Sequence, residues 1–571
     1  MIPRRETLYL TILLGVWFAA NLATLERAPT VWCDEVLFTD PALHWIQGKG
    51  LTSTAWPQPP ERPALLNGPL HTVLLCGWLR VWTLAGVGIS ATVVRSFGSV
   101  LALVAAVWLW ALARGCGLVS SPKLRLSGVA AFLCADSVSS AYRSGRYDLV
   151  GLLVVLAVVW SVGYRGRSAG LPASAPPAVR LPAVLTTALL AALVPFAGLH
   201  LVPYCLLLAV GAVLGAGREW IGRVLPALIG MGVGGLTLVG MHLGSGTLPY
   251  FIAFTRQQSE AGIAAKLLAL PVNAVRDLSV VPLLAFLALC IVLHVGRGGA
   301  MFPAGSPRLR YPLTLGRHMP PALLGLAAGI AIPVCMTLAG RYTRYYGWMA
   351  FVPVLVVVLR SLERGRPGPG RPTEAEGAGE GMVGGRGSAA GGRRSEVGER
   401  RSGRKHGLRT APAVSSPHAV WPAGLGVAAL GVSMALGLPL RTLICLLEWR
   451  ERDYGKVADF VQAQVRPDDR VVVGHSAYYP VTQIAGTWYL PNALDYMPRA
   501  AVEAATCIVD RPESVPQTMT LTGGTWQMVA EYRPEPPVGR VRLGRALLYH
   551  LAVYRRLPPP LGRADSMVPE L

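Results

Sequence analysis

Asp34 and Glu35 stand side by side, nine residues after the apolar run Leu8–Leu25 ends. Carboxylates placed beside a bilayer and beside each other are pushed toward higher pKa. A carboxylate so poised can take a proton from a hydroxyl or amine nucleophile, and a pair of them can hold a divalent cation through oxygen. The same two residues would also suit a helix start, Asp34 as the N-cap and Glu35 complementing the dipole. Both readings stand on these residues alone. Asp40-Pro41 reads as a structural cap.

Two arginine clusters could complement those acids. In SVSSAYRSGRYDLVG (Ser137–Gly151), Arg143, Arg146 and Asp148 sit between two apolar runs. In GRYTRYYGW (Gly340–Trp348), Arg341 and Arg344 alternate with Tyr342, Tyr345 and Tyr346. Guanidinium binds phosphate bidentately, so arginines at the mouth of a membrane span point to a phosphate; lipid headgroups are the other anionic partner open to them. Aromatic anchoring at the membrane interface accounts for the tyrosines but not for the arginines. His44, His71 and Glu61 share the loop of Asp34 and are weak candidates for a metal site, their spacing matching no ligand motif. His200 and His242, near span ends, read as satisfied by neighbours.

The elements that must position these residues are membrane helices. Of the 571 residues, 52% are hydrophobic and only 15% charged, with mean hydropathy +0.44, which excludes an ordinary soluble domain. Apolar runs near the bilayer-spanning length predict spans at Leu8–Leu25, Ala91–Ala113, Leu124–Tyr142, Leu149–Tyr164, Leu181–Phe196 and Leu199–Leu214. Five more follow at Val224–Leu243, Val280–Val295, Ala322–Ala339, Tyr346–Leu362 and Trp421–Leu440. Pro69–Gly86 carries His71 and Arg80 and reads as an amphipathic surface helix. With that assignment, the basic segments Arg114–Arg125, Tyr164–Arg180, Arg218–Arg223, Gly296–Arg317 and Arg360–Arg409 all fall on the side of Arg4 and Arg5. By the positive-inside rule the N-terminus is inside and the C-terminus outside, in the plasma membrane. The net charge of +22 is this topology signal and does not call for nucleic acid. The first run reads as an uncleaved anchor. The nine cysteines show no metal-ligand spacing.

The chain divides into a membrane module (1–362, with an outer loop at 27–90), a Gly/Arg-rich cytoplasmic linker expected to be disordered (363–420), a last span (421–446) and an outer α/β domain (447–571). In that last part YGKVADFVQAQV has helical periodicity, and DDRVVVG, ATCIVD, WQMVAEY and LLYHLAVYRR read as strands.

Taken in order, DEVLFTDPALHWIQGKG, the surface helix with an arginine opening the next span, SGRYDLVGLLVVLAVV and RYTRYYGWMAFVPVL resemble GT-C fold glycosyltransferases. The branch they are most similar to holds protein O-mannosyltransferases and the lipid A aminoarabinose transferase, and the resemblance covers roughly residues 1–360. It implies a polytopic α-helical enzyme of about 11 spans that uses a polyprenyl-phosphate sugar and a lipid, glycan or protein acceptor. It also implies Asp34 as general base with inversion, Glu35 assisting, Asp148 as a second acid, and Arg143, Arg146, Arg341, Tyr342, Arg344 and Tyr345 around the leaving phosphate. Where the aminoarabinose branch has Glu-Lys-Pro, this chain has Asn67-Gly68-Pro69, so that element's metal binding and phosphate contact do not transfer residue by residue; a divalent metal stays open as the one cofactor. A lipid-linked sugar flippase or a non-catalytic assembly protein are the competing classes. The first would call for polar or ionisable groups at mid-span, of which these runs are almost free, and for repeated halves, which the sequence does not show.

Overall fold

A computed structural model describes residues 4–66, 68–168, 177–216, 220–259, 262–274, 277–296, 321–338, 346–364, 423–535 and 549–558. The expected linker from residue 365 onward and the residues Arg341 to Tyr345 lie outside them. The protein is mainly helical, and its apolar helices make it a membrane protein. The helices that frame the site are α1 (Arg4–Leu25), α2 (Cys33–Ile46), α3 (Pro69–Leu84), α4 (Ala91–Gly115), α5 (Pro122–Cys134), α6 (Asp136–Arg143) and α7 (Asp148–Ser168). After them come α8 (Pro177–Ala192), α9 (Val194–Ala197), α10 (Leu201–Ala216), α11 (Ile221–Gly244), α12 (Leu248–Ser259), α13 (Ile263–Ala274), α14 (Val280–Gly296), α15 (Pro321–Leu338), α16 (Trp348–Arg364), α17 (Ala423–Ala435) and α18 (Leu438–Leu447).

Among the described residues, four helices are long and apolar enough to cross a membrane: Arg5–Leu25, Ala91–Gly115, Ile221–Gly244 and Gly424–Leu447. Asp136–Arg143 with Asp148–Gly163 passes the same test as a pair bent by 115°, and Leu181–Ala197, Leu201–Val213, Val280–Leu293 and Ala322–Leu338 are shorter apolar helices. Helix packing here relies on small residues, as lipid offers no hydrophobic drive between helices. Gly230 and Gly234 of α11 lie on the backbone of α8, where an added Cβ would come within 2.1 Å of the Ala188 and Ala192 carbonyl oxygens.

The run Leu124–Tyr142, expected as one span, is two helices broken at Ala135 (ψ 144°). The cause is tertiary. Gly437 presses on the Cys134 carbonyl so closely that a Cβ there would lie 1.7 Å away. The Asp136 N–H donates to Ser279 Oγ at 2.7 Å and its carboxylate pairs with Arg441 at 2.6 Å, so a new helix starts with an acid at its positive end. Helix α3 buries His71, Thr72, Leu75 and Leu79 and exposes Val73, Leu74, Val81 and Leu84, an apolar outer strip.

The carboxyl-terminal region builds a five-stranded sheet, order β2-β1-β3-β5-β4, from β1 (Arg470–Val473), β2 (Thr487–Tyr489), β3 (Cys507–Asp510), β4 (Trp526–Tyr532) and β5 (Leu551–Arg556). β1 runs parallel to β2 and β3, while β5 pairs antiparallel with β3 and β4. β2, three residues long, carries too little pattern to be read from sequence. The region docks on the chain around α2. Tyr549 Oη accepts from the Val31 N–H at 3.1 Å, Gln483 donates to the Ile89 carbonyl at 2.6 Å, and the Leu490 N–H donates to the Thr54 carbonyl at 3.0 Å.

Candidate functional site

α2 starts from an extended Trp32 (φ −144°, ψ 172°) that makes no side-chain capping bond, and Asp34 and Glu35 fall in its first turn. Asp34 is therefore not the N-cap. Its Oδ2 pairs with Arg146 Nη1, and its side chain keeps 22% exposure against 3% for Arg146. Arg146 lies in the turn between α6 and α7, where Gly145 takes the left-handed conformation (φ +64°). A Cβ on Gly145 would meet Glu35 Cγ and Val94 Cγ1 at 3.0 Å, so only glycine lets this turn fold over α2.

Arg146 is the hub. Its Nε donates to Asp148 Oδ2 at 2.8 Å and its Nη2 to Tyr346 Oη at 3.1 Å. Tyr346 Oη lies 2.6 Å from Tyr147 Oη, and Trp348 Nε1 donates to Asp148 Oδ1 at 3.4 Å. Ring centroids of Trp32, Phe38, Tyr147 and Tyr346 lie 5.3 to 5.8 Å from the guanidinium carbon, an aromatic enclosure that lowers its contact with water. A guanidinium bridging two carboxylates, with one acid open to solvent, can exchange a carboxylate for a phosphate of like geometry.

The other expected residues have different surroundings. Glu35 is fully buried and accepts from Arg95 Nε at 2.9 Å and Nη2 at 2.7 Å, while Arg95 Nη1 donates to the Leu25 carbonyl at 2.8 Å. Tyr479 Oη donates to Glu35 Oε1 at 3.1 Å. Glu35 thus joins α1, α2, α4 and the carboxyl-terminal region. Arg143 is buried, donating to the carbonyls of Ala28 at 2.9 Å and Thr24 at 2.7 Å, which directs its guanidinium at backbone. Asp40, read as a cap, is instead a buried anchor that accepts from Ser53 Oγ, the Thr54 N–H and Tyr478 Oη at 2.6 to 2.8 Å.

The metal candidates do not come together. His44 Nδ1 lies 3.1 Å from Thr52 Oγ1, Glu61 is exposed, and His71 packs between the rings of Phe38 and Phe97. Burial holds the His71 imidazole down to about 3, hence neutral. Among the described residues no three His, Cys, Asp or Glu gather as a metal site. Of His200 and His242, expected to be satisfied by neighbours, His200 Nδ1 lies 3.4 Å from Tyr147 Oη and His242 Nδ1 lies 2.8 Å from Thr247 Oγ1.

Sequence reasoning passed over Tyr147, Trp348 and Tyr479. For Arg95 it noted only a span-opening arginine, although an arginine in an apolar run signals a buried acid elsewhere.

The sequence matches no protein-family model and no curated protein. Among solved structures, the chain is similar to ArnT from Cupriavidus metallidurans bound to undecaprenyl phosphate, at 13% identity and TM-score 0.52, over 97% of this chain and 98% of that one. Weaker likenesses are to the S. cerevisiae protein O-mannosyltransferase complex bound to its sugar donor (17% identity, TM-score 0.28, 47% of this chain and 36% of that one). A mycobacterial arabinofuranosyltransferase, AftD, follows (13% identity, TM-score 0.40, 97% and 42%). This chain spans well under half the length of those two, and the fold rests on the first likeness. Over nearly its whole length, the chain has the GT-C glycosyltransferase fold of ArnT.

Proposed function

We infer that the protein is a membrane glycosyltransferase that moves a sugar from a polyprenyl-phosphate donor to a lipid, glycan or protein acceptor. The observation that carries this reading is the Asp34–Arg146–Asp148 array, with its one partly open carboxylate, on a GT-C fold. The positive-inside charge pattern supports an N-terminus inside, with Asp34 and the carboxyl-terminal region on the outer face of the plasma membrane.

Asp34 takes the proton of the acceptor hydroxyl or amine as its oxygen or nitrogen bonds to the anomeric carbon. The bond from that carbon to the donor phosphate breaks on the opposite face, which inverts the centre, and polyprenyl phosphate leaves. Arg146, held by Asp148 and Tyr346, meets the charge that develops on the departing phosphate. Before the donor binds, Arg146 neutralises Asp34. A phosphate that draws Arg146 away leaves Asp34 free to act as base, so donor binding precedes proton transfer. Arg341, Tyr342, Arg344 and Tyr345, just before Tyr346 in the chain, add further phosphate contacts in this reading. Glu35 and Arg143 hold the scaffold.

An apolar crevice of about 240 Å³ supports the lipid donor, lined by Val155, Val158 and Val162 of α7, Leu208 of α10, Trp220 just before α11 and Met231 within it. Its α7 lining, Val155 to Gly163, lies seven to fifteen residues beyond Asp148, roughly 10 to 22 Å along the helix, a depth that an isoprenoid tail reaches.

The test compares Asp34→Asn and Arg146→Ala with the natural chain in nanodiscs, following release of undecaprenyl phosphate from a panel of undecaprenyl-phosphate pentoses and hexoses. Asp34→Asn should lose turnover at least ~10²-fold with donor binding kept, and Arg146→Ala should weaken binding of undecaprenyl phosphate itself. Natural-level turnover by Asp34→Asn refutes the base assignment. Mass spectrometry of envelope glycans, lipids and proteins with and without the gene names the acceptor.

A further inference from the structure

We propose that Tyr479 of the carboxyl-terminal region is a positioning residue for Asp34, acting through Glu35. The inference rests on the assignment of Asp34 as base and adds what holds that base in place.

Among the described residues, the side chain of Asp34 has only Arg146 and the Cys33 thiol as polar partners, the latter at 3.4 Å. Neither fixes the helix turn that carries it, and Arg146 must turn toward the phosphate during reaction. The first turn of α2 also lacks a capping side chain. Its position is therefore set next door, at Glu35. That carboxylate is gripped from the membrane side by both nitrogens of Arg95 and from the other side by Tyr479 Oη at 3.1 Å. Tyr479 Oη also lies 3.4 Å from Thr39 Oγ1, whose hydroxyl donates to the Glu35 carbonyl at 2.7 Å, so it meets α2 on two successive turns. Tyr479 and Glu35 are both buried.

The neighbouring residue makes a different contact. Tyr478 Oη donates to Asp40 at 2.8 Å, and Asp40 lies six residues beyond Asp34, roughly 9 Å along the helix axis. Two adjacent tyrosines of one short helix, Tyr478–Ile484, thus hold α2 at two places, only one of them beside the base. Removing the Tyr479 hydroxyl leaves Glu35 paired with Arg95, so no charge is stranded and the fold survives. What is lost is the restraint that keeps Asp34 aligned, and misplacement of a reacting group by about 1 Å can cost ~10²-fold in rate. The loss of one hydrogen bond shifts the turn by less than that.

Cys33, a free half-buried thiol in the same turn, reports its position without any need for substrate. Full-length natural chain, Tyr479→Phe and Tyr478→Phe are compared in nanodiscs. Alkylation of Cys33 by N-ethylmaleimide is followed by peptide mass spectrometry, and turnover is followed on whichever undecaprenyl-phosphate sugar the natural chain uses. Tyr479→Phe should speed Cys33 alkylation several-fold and lower kcat about tenfold, with KM for the donor within about twofold. Tyr478→Phe should lose as much thermal stability but leave both the Cys33 rate and kcat within about twofold. Equal effects of the two substitutions, or a Cys33 rate unchanged by Tyr479→Phe, overturn the proposal. Natural-level turnover by Asp34→Asn overturns the base assignment instead, and the alkylation result is read independently of it.

Discussion

Removing Glu35 should cost more in stability than any other single change around the site. Glu35 and Arg95 are both 0% exposed, and two of the guanidinium nitrogens face the carboxylate. In Glu35→Ala, Arg95 keeps, among the described residues, the Leu25 and Glu26 carbonyls at 2.8 and 3.2 Å as hydrogen-bond partners, so its charge stays buried against backbone dipoles. Stranding one partner of a buried pair costs about 3–5 kcal/mol, and the Tyr479 hydroxyl loses its acceptor for roughly 1 kcal/mol more. Exchanging both ions for apolar residues of similar volume, Glu35→Leu with Arg95→Met, strands nothing and should recover most of the loss. The assay is the apparent unfolding midpoint by tryptophan fluorescence in detergent at one fixed scan rate, for both single variants and the double. A coupling of about 2–3 kcal/mol between the sites is expected, beyond the few tenths seen for independent positions. Additive losses, or a single-variant cost under ~1 kcal/mol, the size of an exposed ion pair, would refute the scaffold role of Glu35.

Gly230→Leu should separate α11 from α8, since the added side chain meets the Ala188 carbonyl within 2.1 Å already at Cβ. A midpoint drop with loss of disulfide cross-linking between cysteines placed on the two helices checks this, and an unchanged cross-linking yield opposes it. In the carboxyl-terminal region, burial pushes the Asp510 carboxyl up to about 6 and the His475 imidazole down to about 4, the latter aided by Arg511. Native Asp510 therefore binds more protons than the unfolded chain between pH 4 and 6, and its contribution to stability falls as pH rises. Native His475 binds fewer between pH 4 and 6.5, and its contribution rises. Each is worth on the order of 3 kcal/mol over the window, with opposite signs. Relative to the natural chain, Asp510→Asn should gain midpoint toward pH 7 and His475→Asn toward pH 4; parallel curves would refute both.

The sequence by itself determined a good deal, because it is local. Hydropathy blocks of bilayer length mark the apolar helices, and all four strand patterns picked from the carboxyl-terminal region carry strands. The acids and arginines that gather at the site were visible as clusters, since an arginine at the end of an apolar run is conspicuous wherever the chain later puts it. Which acid meets which arginine was a different matter. Arg146 reaches Asp34 across 112 residues and Arg95 reaches Glu35 across 60, so adjacent carboxylates of one helical turn part company, one to a half-open mouth and one to the core. Successive residues on a helix point about 100° apart, and only packing decides which direction is filled. The break at Ala135 and the grip of Tyr479 on Glu35 depend likewise on partners far along the chain, Gly437 and the carboxyl-terminal sheet region. Residue type fixes what chemistry a side chain can do. The distant surface packed against it fixes whether that chemistry is put to use or, as for Glu35, buried to hold the fold.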